Sequence, residues 1–265
     1  MRLLSLIALS AVSLSAQLAP PNSMGVSMGH VHLIVNDPDT QKKLFVDLLG
    51  AKTKTLAPLE LIKVPGLLVV LQKARTAPAD GSDGSTVNHF GFLVKSYADV
   101  KAKLTAANIP LAMDNAQTKQ IIATFPEKVR VEFTEDATLT VPAKFHHMHL
   151  STPNQESLRA WYVKTFGGTV GMRGQFPAAM FPGGEVDFAK AEQPQAPTKG
   201  RSLDHIGFEV LGLEAFCKKL QDEGVTFDTT YRVIPQLENL KIAYVLDPEG
   251  TRIELTEGFA AQSQQ

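Results

Sequence analysis

The sequence predicts an α+β protein built from four β-α-β-β-β modules. Three observations predict it. A strand-then-helix periodicity restarts four times. The chain repeats itself at a long offset. Its seven histidines fall only where those modules begin.

The repeat is read directly. His30-Val31-His32-Leu33 recurs as His147-Met148-His149-Leu150, an offset of 117, and Pro65-Gly66 recurs as Pro182-Gly183 at the same offset. Asn88-His89-Phe90-Gly91-Phe92 recurs as Asp204-His205-Ile206-Gly207-Phe208 at 116, and Arg130-Val131-Glu132-Phe133-Thr134-Glu135 as Arg252-Ile253-Glu254-Leu255-Thr256-Glu257 at 122. A period this long marks a duplicated domain and not a solenoid. Domain one is placed at 27–137 and domain two at 145–259, with the polar stretch Asp136 to Lys144 between them. The tail from Ala260 is expected to fray.

Each domain is itself halved. His30–Val35 reads as a strand, Asp37-Pro38 supplies a cap and a first-turn proline, and Leu44, Phe45, Leu48 and Leu49 fall at helical spacing before Gly50. Beta-prone segments end in Leu67–Leu71, and a polar loop, Ala77 to Ser85, closes the module. The second half restarts at His89–Val94, continues through a helix with Val100, Leu104 and Ala107 on one face, and ends at Val129–Thr134. Domain two copies this plan, with Leu158, Trp161, Tyr162 and Phe166 on its first helix and Phe216 and Leu220 on its second.

Composition narrows the function. Apolar residues make up 44% of the 265, and 26 basic against 27 acidic residues leave a net charge of −1. No basic surplus exists to follow a nucleic-acid backbone. Beyond the N-terminus no apolar run approaches the ~18 residues of a membrane span. The single cysteine, Cys217, excludes an internal disulfide and any CxxC motif, and reads as a packed small side chain. Residues 1–16, MRLLSLIALSAVSLSA, have the basic, apolar and small-residue order of a secretory signal, followed by a flexible spacer at 17–26. The expectation is an exported protein, periplasmic or extracellular. A start at Met24 or Met28 would make it cytoplasmic.

All seven histidines sit at the leading strands: His30 and His32; His89; His146, His147 and His149; His205. Side chains alternate across a strand. Val31, Leu33 and Val35 therefore face the helix, and His30 and His32 face the other way. Glu132, between Val131 and Phe133, and Glu254, between Ile253 and Leu255, point to that same open face. A lone strand histidine is usually just a hydrogen-bonded side chain. The same residue types at the same strand positions, twice over, weigh against that reading. Two imidazoles and one carboxylate form a facial donor set with open positions, suited to Fe, Mn, Ni, Co or Zn as divalent ions.

These modules, the leading His-x-x-Leu strands, the Asp204–Phe208 strand, Trp161–Gly168 and the run Tyr244-Val245-Leu246-Asp247-Pro248-Glu249-Gly250-Thr251-Arg252-Ile253-Glu254-Leu255 resemble the vicinal oxygen chelate superfamily of glyoxalases, bleomycin resistance proteins and extradiol dioxygenases. The resemblance implies two glyoxalase-like domains with curved mixed sheets around metal-binding clefts. It carries one or two divalent transition metal ions onto His30, His89 and Glu132 in domain one and His147, His205 and Glu254 in domain two. Glu132 and Glu254 are then the candidate catalytic groups. His32 and His149 become partners of the ligands or lining of the cleft. A fourth family ligand aligns with Val70 in domain one and Asp187 in domain two. The pairing of modules stays open: adjacent modules, or first with fourth, close a cleft.

Within the family, the segment from Tyr231 to Lys241 lacks the extra histidine of usual extradiol chemistry. Thiol-dependent activities suit the cytosol, and bleomycin binders lack the metal triad. A jelly-roll His-x-His reading fails because Asn36, Asp37 and Pro38 lead into a helix. The resulting expectation is a metal-dependent enzyme acting on a small substrate held through vicinal oxygens, with isomerase or lyase chemistry ahead of oxygenation. One alternative is a small-molecule binding protein of the same fold, its clefts walled by Phe90, Phe181 and Phe208. The other is a structural role with idle sites.

Overall fold

The computed structural model describes residues 18–264. The expected leader, 1–16, lies outside them. The first module runs β1 (Val26–Val35), α1 (Pro38–Leu49), β2 (Lys52–Leu56), β3 (Leu59–Val64) and β4 (Leu67–Lys73). The second runs β5 (Val87–Val94), α2 (Tyr97–Ala106), β6 (Leu111–Asn115), β7 (Gln120–Phe125) and β8 (Val129–Glu135). The third runs β9 (Ala143–Thr152), α3 (Gln155–Phe166), β10 (Thr169–Arg173), β11 (Phe176–Phe181) and β12 (Gly184–Lys190). The fourth runs β13 (Leu203–Val210), α4 (Leu213–Asp222), β14 (Phe227–Ile234), β15 (Leu240–Leu246) and β16 (Arg252–Glu257), and α5 (Phe259–Gln264) follows. The expected β-α-β-β-β order is present four times.

Local chemistry accounts for the helix ends. The Asp37 carboxylate accepts from the backbone N–H of Asp39 and Thr40, and Pro38 follows in the first turn. Gly50 ends α1 at φ 63°, a left-handed conformation glycine takes without a Cβ penalty.

The strands form two eight-stranded mixed sheets, ordered β14-β15-β16-β13-β1-β4-β3-β2 and β10-β11-β12-β9-β5-β8-β7-β6. At each centre the leading strands of two modules pair antiparallel, β1 with β13 and β5 with β9, and each is flanked by the last strand of its own module in parallel. The first module thus pairs with the fourth and the second with the third. Each sheet draws one module from each half of the chain.

One apolar core fills the helix-facing sides of both sheets, with Val31, Leu33, Val35, Phe45, Phe92 and Phe208 among its members. Phe90 and Phe181 belong to it too, so the aromatics expected to wall the clefts lie on the opposite face. A second, smaller cluster covers the open face of the first sheet: Leu56, Leu59, Leu68, Val70, Leu240 and Phe259 are in it. The tail read as frayed is helical: Glu209 accepts from the backbone N–H of Gly258 and Ala260 and docks α5 there. Leu18, in the stretch read as a flexible spacer, is buried in the same cluster, and its N–H donates to Ser263. Among the described residues no helix is long and apolar enough to cross a membrane.

Candidate metal centres

The module pairing regroups the expected ligands. Cleft one, in the first sheet, combines His30 and His32 with His205 and Glu254. Cleft two, in the second sheet, combines His89 with His147, His149 and Glu132. The carried-over residues all lie in one cleft or the other, but not in the sets His30–His89–Glu132 and His147–His205–Glu254. Antiparallel pairing of the leading strands is the cause. It sets His30 opposite Gly207 and Gly91 opposite His147, so each cleft takes its histidines from two halves of the chain.

In cleft one the Nε2 atoms of His30 and His205 converge on a single oxygen, Glu254 Oε2, at 2.8 and 3.0 Å. All three side chains are buried. Burial alone would raise the Glu254 carboxyl, but hydrogen bonds from His205 and His30 outweigh it and hold the group well below the usual carboxylate range. Burial lowers the pKa of His30. At His205 burial pulls the same way, but hydrogen bonds to Asp204 and Glu254 win and raise it. The Asp204 contact is 2.7 Å from His205 Nδ1, and Arg252 braces Asp204 from behind at 2.8 Å. Arg252 in turn donates to Asp228 and lies over the Tyr244 ring at 3.8 Å. This chain fixes the imidazole with Nε2 toward the cleft, the usual support for a histidine ligand.

His32 Nε2 contacts Gln72 Oε1 at 3.0 Å, and its ring lies 4.4 Å from that of His205. Tyr244 stands opposite Glu254 in the β15–β16 register, with its ring edge-on to His205. Phe259 from α5 lies edge-on to His30 at 5.1 Å and roofs the site. A cavity of about 270 Å³ opens beside it, with His32, Gln72, Leu240, Ile242, Tyr244 and Glu254 in its lining.

Cleft two repeats the core of this arrangement. His89 Nε2 is 3.0 Å and His147 Nε2 3.7 Å from Glu132 Oε2, and the two nitrogens are 3.3 Å apart. His149 stacks on His89 at 4.4 Å, as His32 lies on His205. Asn88 takes the place of Asp204 at 2.9 Å from His89 Nδ1. What differs is Arg173. Its Nη2 donates to Glu132 Oε1 at 2.7 Å, and Nη1 lies 3.3 Å from Asp187. Asp187 is fully buried with neither oxygen hydrogen-bonded, 3.9 Å from His149. Burial, then the nearby Glu185, pushes its carboxyl up to about 8. Asp187 lies outside the tight group His89–His147–His149, while Val70, its counterpart, is an apolar wall of cleft one.

Both donor sets fit a divalent first-row ion. The Nε2–Oε2 separations of 2.8 and 3.0 Å in cleft one are close to the ~3.0 Å edge that bonds of ~2.1 Å make at right angles. Two imidazoles and a carboxylate are borderline donors suited to such ions.

Sequence reasoning missed several of these residues. Asp204 and Asn88 stand directly before a cleft histidine, a visible signal. Gly207 and Gly91 lie inside the repeated motif, yet only the cross-strand packing explains them. Arg173 carries no local signal at all. It emerges from comparing the repeats, where it aligns with Leu56.

The Glyoxalase/Bleomycin resistance protein/Dioxygenase superfamily model matches residues 144–255. Among solved structures, glyoxalase I from Zea mays superimposes with a TM-score of 0.67 at 14% identity, covering 90% of this chain and 95% of that one. A Bacillus subtilis protein with a provisional dioxygenase assignment gives 0.66 at 14%, covering 93% and 88%. No curated protein matches the chain in sequence. The family match over the second half and the fold shared by both halves lead to one conclusion: in sequence over residues 144–255, and in fold throughout, the chain is similar to the glyoxalase, bleomycin resistance protein and dioxygenase superfamily, the vicinal oxygen chelate proteins.

Proposed function

We propose that this chain is an exported, metal-dependent enzyme whose reaction site is cleft one. Its substrate is a small molecule with an apolar body and two neighbouring oxygens. The observation that carries this reading is the convergence of His30 and His205 on Glu254 beneath a roofed, mostly apolar cavity. A divalent ion bound there would supply Lewis acidity and a template for the two oxygens. His30, His205 and Glu254 would hold it, and Asp204 would keep His205 oriented. Leu240 and Ile242 wall the cavity, and Phe259 keeps bulk water from His30. At about 270 Å³ the cavity lies just below the ~300–1,000 Å³ of ordinary ligand pockets, which favours a small substrate. His32 and Tyr244 are the groups placed to move a proton near the bound oxygens, with Glu254 the third candidate. We favour isomerisation or lyase chemistry over oxygenation, since no further histidine accompanies Tyr244 on β14 or β15.

The test is elemental analysis and turnover of the protein reconstituted with each of Fe, Mn, Ni, Co and Zn as divalent ions. Stoichiometric metal with multiple turnovers of a vicinal dioxygen substrate supports the reading. Less than about 0.2 equivalents of every metal, with Glu254→Ala and Glu132→Ala unchanged, removes it. The roof over cleft one also suits a binding protein, which would hold such a ligand stoichiometrically without converting it. Sequencing the N-terminus of protein recovered outside the cytoplasm tests export.

A further inference from the structure

β2 and β10 are equivalent edges of the two sheets. The offset of 117 that relates their modules pairs Leu56 with Arg173, Leu68 with Glu185 and Val70 with Asp187. Three aliphatic positions around cleft one are thus three charged residue types around cleft two. In cleft one Leu56, Leu68 and Val70 are packed together. Among the described residues Glu254 makes ion pairs only with His30 and His205, and the nearby Arg252 is held by Asp204 and Asp228. In cleft two the guanidinium of Arg173 is largely buried and sits among Glu132 at 2.7 Å, Asp187 at 3.3 Å and Glu185 at 3.7 Å.

A guanidinium is always charged and cannot withdraw its charge by losing a proton. It occupies one oxygen of the carboxylate whose other oxygen faces His89 and His147. A divalent ion entering there meets a fixed positive charge about one carboxylate away, in a setting where screening by water is weak. It must also share the charge of Glu132 with that guanidinium. Cleft one presents no such competitor to Glu254.

We infer that the two clefts load metal unequally and that Arg173 sets the order: cleft one takes the first divalent ion, and cleft two takes a second only at much lower affinity. This rests on the metal-dependent reading above. It turns the near-symmetry of the two halves into a division of labour, with one loaded centre and one in which Arg173 serves as built-in counter-charge to Glu132. Without the guanidinium, Asp187 loses its ion-pair partner and its oxygens, which make no hydrogen bond, become available as additional donors, so the effect of removing Arg173 has a definite sign.

The test is titration of the metal-stripped full chain with Co(II) alone, followed by visible absorption and calorimetry. Two binding classes are expected, separated by about 100-fold or more in Kd, as fixed charges at such range produce. In a Glu254→Gln background only the weak class should remain, and adding Arg173→Leu should tighten it at least tenfold, whereas Arg173→Lys should leave it weak. In a Glu132→Gln background Leu56→Arg should weaken the tight class. Two equal tight sites in the unmodified chain would overturn the inference while leaving the proposed function standing. So would an Arg173→Leu titration that stays weak. If Arg173→Leu does not fold, the unmodified chain and the Leu56→Arg arm still decide. Co(II) bound at neither cleft would overturn both.

Discussion

Gly207 on β13 and His30 on β1 share one space: a Cβ at Gly207 would stand 2.0 Å from His30 Cε1. Gly91 and His147 repeat the relation in cleft two, at 2.2 Å. The glycine is the hole into which the opposite strand's imidazole lies, and it allows Nε2 to reach the glutamate. Gly207→Ala should therefore push His30 out of its place. The expected result is a loss of stability of about 1–3 kcal/mol from overpacking, with tight Co(II) binding abolished and cleft two unaffected. Thermal unfolding and Co(II) absorption measure the two effects. Unchanged tight binding in a folded Gly207→Ala protein would show that His30 does not need that space.

Asp204 bridges Arg252 and His205, so its charge both orients the imidazole and balances the guanidinium. Asp204→Asn keeps the shape and removes the charge, making cleft one resemble the Asn88–His89 pair of cleft two. Metal affinity at cleft one should fall about 10- to 100-fold, the usual cost of losing a ligand's supporting partner. A titration of Asp204→Asn matching the unmodified chain would remove Asp204 from the site.

The two examples also mark what the sequence can and cannot disclose. The alternation Val31, Leu33, Val35 against His30, His32 put the histidines on the correct face, because a strand's period of two is local information. The same held for Glu132 and Glu254, and Asp37 and Gly50 bounded α1 for equally local reasons. Period says which face a residue occupies, not which strand lies next to it. All four leading strands carry the same pattern, so nothing local distinguishes β1 against β5 from β1 against β13. Which residues face the clefts was legible for that reason, and their grouping was not. Arg173 was hidden differently. It ends a short edge strand whose neighbours, Val170 and Met172, are exposed, and only its contacts with Glu132 and Asp187 give it meaning.

The roof of cleft one is a separable device. Phe259 is buried against His30, and α5 is held by Glu209 and by the Leu18–Ser263 contact. Phe259→Ala should cost about 3 kcal/mol as a large-to-small change in a packed cluster. It should also speed the removal of bound Co(II) from cleft one by a chelator, because the imidazole beneath it becomes exposed to water. Stopped-flow transfer of Co(II) to EDTA reads the rate. A variant that is less stable yet releases metal at the original rate would leave Phe259 as packing alone.

Cys217, on α4 and 2% exposed, gives a test of the core that is independent of either cleft. Burial pushes its thiol up to about 11 from an ordinary value of 9.0. The reactive species is the thiolate, so a two-unit rise alone slows alkylation about 100-fold below pH 9, before access is considered. Iodoacetamide labelling of the native chain should be slow at pH 8 and should keep rising up to pH 11. Labelling of the urea-unfolded chain should be half-maximal near pH 9 and level off above about pH 10. The same shift has a sign for stability. Between pH 9 and 11 the unfolded thiol has lost its proton and the folded one has kept it, so the unfolded state binds fewer protons and stability falls as pH rises through that window. Native labelling as fast as unfolded at pH 8 would mean that α4 does not seal Cys217 against the sheet.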